Sequence, residues 1–198
     1  FYFLLYISLI ILFPTNFLKK LVTYQVMSFS VLIDKSPQGF IDEDIIPLLT
    51  IINNDPRFET TSSCSGRITL MSGEKKGESK WVYKTHERGD SNLIYLELQK
   101  LEDDDTLRFM YEPFIVHLKC KTFSDVTKML SLLHTNGLKK SSMISCKGLI
   151  IEINDTGRME TILNNSLPLE YVEILVNEAN KRLANTKNRI KLLEKLYS

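Results

Sequence analysis

The densest run of reactive side chains is Thr60-Thr61-Ser62-Ser63-Cys64-Ser65-Gly66-Arg67. A stretch of consecutive hydroxyl and thiol residues is unsuited to a core. It offers donors and acceptors beside backbone N–H groups, and Gly66 lets another group approach the main chain closely. Arg67 adds a planar guanidinium fork that matches a carboxylate or a phosphate. The chemistry this suggests is capture of a polar or anionic ligand, although a plain Ser/Thr-rich turn between two strands has the same composition. Cys64 is the strongest nucleophile of the run, with His86 or His117 as its candidate base. Nothing among its sequence neighbours activates it, and most single cysteines are simply buried.

Other residues of the same kind lie further along. Trp81 is the only tryptophan. It is either core or a flat surface for base stacking, and it lies on the strand that leads to His86. His86 follows Thr85 at a strand end, where functional side chains often project. His117 falls within a strand, on the face opposite Phe114 and Val116, a position that suits a structural histidine. Asp34-Lys35-Ser36-Pro37 is a charged turn. Glu112 stands directly before Pro113, and that proline confines the segment to a sheet edge, a bulge or a strand start. Lys80 and Lys84 flank Trp81.

These residues need elements to position them. Asp42 is a plausible helix cap, and Ile45, Leu48, Leu49 and Ile52 recur at helical spacing until Asn53-Asn54-Asp55-Pro56 stops the helix. Short β signals follow at Phe58–Thr61, Arg67–Met71 and Trp81–Thr85, the last two joined as a hairpin through a turn at Lys75–Glu78. Residues 88–107 fit either a short helix or an amphipathic strand. Phe109–Cys120 alternates strongly and predicts one strand. Ser124 and Asp125 open a helix with a stripe of Val126, Met129, Leu130 and Leu133, and Gly137 follows its end. Met143–Ile153 predicts a strand again. Strand, helix and strand make a βαβ unit, with a parallel right-handed crossover if the strands share a sheet. From Pro168 one long helix carries Tyr171, Ile174, Leu175, Ala179, Leu183, Ile190, Leu193 and Leu196 as its apolar stripe. Its C-terminal half has surplus Lys and Arg, as a solvated face or an arm for phosphate. The expected class is α+β: a mixed sheet with one βαβ unit, two shorter helices and the long C-terminal helix.

Composition sets the frame but not the function. The chain has 198 residues, 43% apolar and 25% charged, which fits a single globular domain with extensions and excludes disordered and multi-span membrane classes. Twenty-five Lys and Arg against 24 Asp and Glu give a net charge of +1, so no basic excess advertises nucleic acid. Cys64, Cys120 and Cys146 form neither a disulfide framework nor, with the scattered His86, His117 and His134, a zinc spacing. No metal is expected, and reduced thiols point to the cytoplasm. Residues 1–13 are almost wholly apolar, too short for a simple span of about 20 residues, and are followed rather than preceded by lysines. We expect 1–27 to lie outside the working domain, as an extension, a targeting remnant or a gene-model artefact, and 28–198 to form that domain.

Together, D-K-S-P at Asp34–Pro37, T-T-S-S-C-S-G-R at Thr60–Arg67, Trp81 with His86, and E-P-F-I-V-H at Glu112–His117 resemble the tRNA wybutosine-synthesising protein 3 family. Asn177, Ala179, Asn180, Lys181 and Asn185 look like that family's C-terminal helix, and the likeness covers about 28–190. It implies an S-adenosylmethionine-dependent methyltransferase acting on tRNA-Phe. The expected reaction methylates N4 of the tricyclic base at position 37, beside the anticodon, after the aminocarboxypropyl side chain has been added. Under that resemblance Ser62, Ser63, Cys64, Ser65, Gly66, Arg67 and Glu112 are the expected cofactor contacts. Lys35, Trp81 and Lys84 would meet the tRNA. His86 is the first candidate base and His117 the second, with Asp34 beside them. No G-x-G-x-x-G follows a strand, so a Rossmann-type cofactor site is not expected. Other enzymes of the wybutosine pathway are candidate partners, and stable membrane insertion of the domain is not expected. The alternatives are a tRNA-binding module without catalysis and a cysteine hydrolase built on Cys64. With a charge near zero, tRNA binding would need a local patch around Arg67 and Lys84.

Overall fold

The computed structural model describes residues 41–73 and 79–197. Asp34, Lys35, the 1–27 segment and the expected turn at Lys75–Glu78 lie outside the described residues.

A 3-10 turn at Glu43–Ile45 leads into helix α1, Ile46–Asn54, with Pro47 in its first turn, where a missing N–H costs least. The expected stripe is the buried one: Ile45, Leu48, Leu49 and Ile52 are all shielded from solvent. Three strands follow, β1 (Phe58–Cys64), β2 (Arg67–Ser72) and β3 (Lys80–Thr85). The stretch left open between helix and strand is a helix, α2 (Ser91–Leu98). Asp90 caps it by accepting from the Asn92 and Leu93 amides. Then come β4 (Leu107–Glu112), β5 (Ile115–Cys120) and α3 (Phe123–Thr135). The chain ends with β6 (Ser142–Ser145), β7 (Ile150–Asn154), β8 (Met159–Leu163) and α4 (Leu169–Tyr197).

The strands form two four-stranded sheets, ordered β1-β5-β7-β6 and β3-β2-β4-β8, and every neighbouring pair is antiparallel. This corrects the single mixed sheet expected from sequence, within an α+β class that stands. The segment Phe109–Cys120 is not one strand. Pro113, which has no N–H for a ladder, breaks it, and the chain passes there from the second sheet to the first. Met143–Ile153 is likewise two strands, turned back on each other at Cys146–Leu149, with Leu149 at a positive φ of 50°. The expected βαβ unit survives in split form. Because β5 and β6 are each antiparallel to β7, they run parallel to one another across it, with α3 between them in the chain.

Each sheet has its own core. Ile68, Leu70, Phe109, Tyr111 and Leu163 from the second sheet pack with Ile94 and Leu98 of α2 and with Val172, Val176, Ala179 and Leu183 of α4. In the first sheet Val116, Leu118, Ile151 and Ile153 are buried, as are Val126, Met129 and Leu133 of α3. Full burial of such a side chain stabilises the fold by about 1.5–3 kcal/mol. The face α4 buries differs from the expected stripe in its first turns. Tyr171 and Ile174 stay 41% and 66% exposed, while the compact, β-branched Val172 and Val176 take the core positions. Among the described residues no helix is long and apolar enough to cross a membrane.

Candidate active site

The end of β1 and the end of β3 meet beneath the 3-10 turn. Asp42 stands where a helix cap belongs but makes no cap bond. Its Oδ2 instead accepts from the Ser65 amide at 2.8 Å and lies 3.1 Å from His86 Nδ1. The same ring nitrogen is 3.1 Å from the Gly66 carbonyl and 3.8 Å from Cys64 Sγ. A carboxylate and a carbonyl only accept, so Nδ1 carries a hydrogen. The Asp42 bond, and after it the Cys64 bond, outweigh the opposing effect of burial and raise His86 to about 9. Burial alone would raise Asp42, but the bonds from His86 and the Ser65 amide prevail and hold it at about 2. At neutral pH the two are an ion pair, and His86 is a cation. Asp42, Cys64 and His86 also bring one ligand atom each within 4.8 Å of one another. They could surround a small cation at the cost of the His86 bonds to Asp42 and Gly66.

Beside this cluster lies a second one, on the face of the second sheet turned away from α4. Register places Arg67 of β2 opposite Glu112 of β4, and Arg67 Nε donates to Glu112 Oε2 at 2.6 Å. The guanidinium carbon sits 4.9 Å from the centre of the Trp81 ring, with Lys84 Nζ 5.9 Å from the same ring. Trp81 is nonetheless 43% exposed. It is an indole in contact with two cations and open to solvent, not a core residue. A third group runs across the first sheet. Ser62 of β1 pairs in register with His117 of β5, which pairs with Glu152 of β7. Ser62 Oγ is 2.8 Å from His117 Nδ1, and Glu152 Oε2 is 3.1 Å from Nε2.

Helix α4 closes the site from behind. Gly66 has φ +98°, and a Cβ there would meet Thr186 Cγ2 at 2.8 Å, so the turn from β1 to β2 needs glycine twice over. Thr186 Oγ1 accepts from the Phe114 amide just past the sheet crossing. Lys187 Nζ donates to Ser65 Oγ at 3.3 Å and forms an ion pair with Asp44. Asn180 clasps Gly89, accepting from its N–H at 2.7 Å and donating to its carbonyl at 3.0 Å, which fixes the segment after His86.

The family model described as methyltransferase TYW3 matches residues 15–197. The chain belongs to the TYW3 family. One relative, the tRNA(Phe) 7-((3-amino-3-carboxypropyl)-4-demethylwyosine(37)-N(4))-methyltransferase 1 of Pyrococcus horikoshii, is 38% identical over 166 residues, covering 79% of this chain and 84% of the relative. The tRNA wybutosine-synthesizing protein 2/3/4 of Arabidopsis thaliana is 35% identical over 182 residues, and this chain spans only 18% of its length. A solved structure of the PH1069 protein from Pyrococcus horikoshii superposes with a TM-score of 0.71 at 34% identity, over 80% of this chain and 86% of that one.

Within this TYW3-family fold, the residues singled out from sequence do not all play alike. Ser62, Cys64, Arg67, Trp81, Lys84, His86, Glu112 and His117 occupy the three groups on the sheet faces and at the strand ends, whereas Ser63, paired with Val116, turns to the opposite, core-facing side of β1 and is not brought to them. The Ser/Thr run is not a loop: Thr60–Cys64 belong to β1, with a bulge between Thr60 and Ser62, and only Ser65 and Gly66 turn the chain. Ser65 and Gly66 are buried, and they shape the site from beneath. Glu112 is engaged by Arg67. Sequence reasoning missed Asp42, Glu152, Thr186 and Lys187. Asp42 had the outward signs of a helix cap, and Lys187 those of a solvated helix face. Glu152 was one member of an alternating strand, and no local signal set Thr186 apart.

Proposed function

We propose that this protein transfers a methyl group from S-adenosylmethionine to N4 of the 4-demethylwyosine-type base at position 37 of tRNA-Phe. The observation that carries the reading is Trp81, left open to solvent within reach of both Arg67 and Lys84. Family membership and the names of the archaeal relatives support it. A flat ring flanked by cations suits a tricyclic base next to backbone phosphates, and such local charge serves a chain whose net charge is +1.

S-adenosylmethionine, when bound, supplies a methyl on a sulfonium sulfur that keeps the bonding pair when the methyl moves to nitrogen. The donor set fits its amino-acid end. Arg67 and the His86 cation, with side chains 27% and 25% exposed, offer partners for a carboxylate. Asp42 and Glu112 offer counter-charge for an ammonium, and Ser62 and Cys64 offer further polar contacts. In-line methyl transfer is governed largely by positioning. Arg67 is fixed by Glu112, His86 by Asp42 and Gly66, and both stand on strand ends braced by α4. Since His86 already holds its proton, the base role falls to His117 in preference to it. We expect the protein to act in the cytoplasm, where its free thiols stay reduced, and to meet other enzymes of wybutosine synthesis there.

The test is incubation with methyl-labelled S-adenosylmethionine and tRNA-Phe from a strain lacking this activity. Label on base 37 is the expected result. Tight tRNA binding with no label transferred and no calorimetric signal for S-adenosylmethionine would show a non-catalytic module and overturn the reading.

A further inference from the structure

The row of Ser62, His117 and Glu152 lies on three neighbouring strands, on the face of the sheet opposite the buried Val116, Leu118, Ile151 and Ile153. His117 is engaged at both ring nitrogens, by Ser62 Oγ at 2.8 Å and Glu152 Oε2 at 3.1 Å. The other Glu152 oxygen accepts from Asn154 Nδ2 at 3.1 Å, so the carboxylate is itself oriented. A carboxylate only accepts. Nε2 of a neutral His117 therefore carries the ring hydrogen, Nδ1 keeps its lone pair, and the Ser62 hydroxyl donates to it. In that arrangement a hydroxyl can gain a proton on one side while giving its own to the ring on the other. Ser62 and Cys64 are two residues apart on β1 and point to one side of the sheet, about 7 Å apart along the strand. Cys64 touches His86, so the row borders the cluster that the proposed function uses.

We propose that Ser62, His117 and Glu152 form the proton-accepting relay of methyl transfer, with Glu152 as its positioning residue; this rests on the methyltransferase reading above. A ring nitrogen that carries hydrogen must lose it on gaining a methyl. Its N–H bond breaks and the proton bonds to Ser62 Oγ. The original Ser62 proton passes to His117 Nδ1, and the nitrogen's electron pair makes the N–CH3 bond. The imidazolium that results keeps its Nε2–H on the Glu152 carboxylate, which balances its charge. His86 is already protonated and bound to Asp42, so it does not compete for this proton.

The experiment has two arms. Long-range 1H–15N NMR of the cofactor-free, histidine-labelled protein reads which ring nitrogen of His117 bears the hydrogen. We expect Nε2–H in the wild type and loss of that preference in Glu152→Ala. Single-turnover methylation then compares the wild type with Ser62→Ala, Ser62→Thr and Glu152→Ala, while calorimetry and filter binding follow affinity for S-adenosylmethionine and tRNA. Ser62→Ala should slow the chemical step about 100-fold or more with tRNA affinity retained. Ser62→Thr, which keeps the hydroxyl, should recover most of the loss. Glu152→Ala should slow it about tenfold or more. Nδ1–H in the wild type, or Ser62→Ala within about threefold of wild-type rate, overturns the relay alone. A wild-type protein that transfers no methyl overturns the methyltransferase reading, and the relay with it.

Discussion

Replacing Asp42 by Asn should change how stability depends on pH, and the size of the change follows from the pair it breaks. His86 ordinarily titrates near 6.5 and does so near 9 here, whereas Asp42 drops from 3.8 to about 2. A base whose folded-state value is raised gives stability that is complete below pH 6.5 and is lost as the pH climbs through about 9. A carboxyl whose value is lowered gives stability that is complete above pH 3.8 and is lost as the pH falls through about 2. Both contributions are whole only between these limits, in mildly acidic solution. At about 1.4 kcal/mol per pH unit, the His86 displacement alone corresponds to about 3 kcal/mol. The side chains are still 25% and 15% open to water, and screening reduces the expected effect to about 1–2 kcal/mol. Urea unfolding of wild type and Asp42→Asn at pH 6 and pH 9.5 measures it, because groups unrelated to the pair cancel between the two proteins. The wild type should lose about 1–2 kcal/mol more than the variant across that interval. Parallel pH dependence in the two proteins would refute the ion pair, and with it the assignment of His86 as a cation.

Two further outcomes follow from geometry. Trp81→Ala should raise the dissociation constant for tRNA by roughly tenfold to a hundredfold, the worth of about one stacked base, and leave S-adenosylmethionine affinity nearly unchanged in calorimetry. Gly66→Ala combines a left-handed backbone with a 2.8 Å contact to Thr186 Cγ2. It should cost about 2–4 kcal/mol and lower Tm by roughly 5–15 °C. Thr186→Ser, which removes that methyl, should recover part of the loss in the double variant; strictly additive effects would show that the contact is not the cause.

Helices α1, α3 and α4 and the α+β class were legible because periodicity reports which side of an element is apolar, and α1 buries the stripe its sequence displays; α2 was not, its short segment fitting helix and strand alike. Strand limits were less legible. β-forming residues run on either side of Glu112 and Pro113, yet the chain changes sheets there, and the proline's missing donor marks the place. The two apolar faces on the first turns of α4 are nearly equal in sequence, and packing against Ile94 and Leu98 decides for Val172 and Val176. For the site, the clustered hydroxyls, Arg67, Trp81 and His86 drew attention by type. Their partners did not. Glu152 stands 35 residues from His117, and Lys187 stands 122 residues from Ser65. Such pairings come from register and from the return of α4, neither of which leaves a local trace. Asp42 was noticed for the wrong bond: its position suits a cap, but a half-buried histidine and a tight turn compete for the same oxygen.

The position of α4 bears on when the protein becomes competent in the cell. Thr186 underlies Gly66, Lys187 reaches Ser65, and Asn180 pins Gly89, so residues of α4 complete a turn laid down near residue 65. Both sheets can pair as they leave the ribosome, since their strands end at Leu163. The turn beneath them has no backing until residue 187 has been translated. A growing chain would therefore carry the hydroxyl face and the exposed indole before the turn beneath them was held rigid. The site would be complete only once α4 had docked.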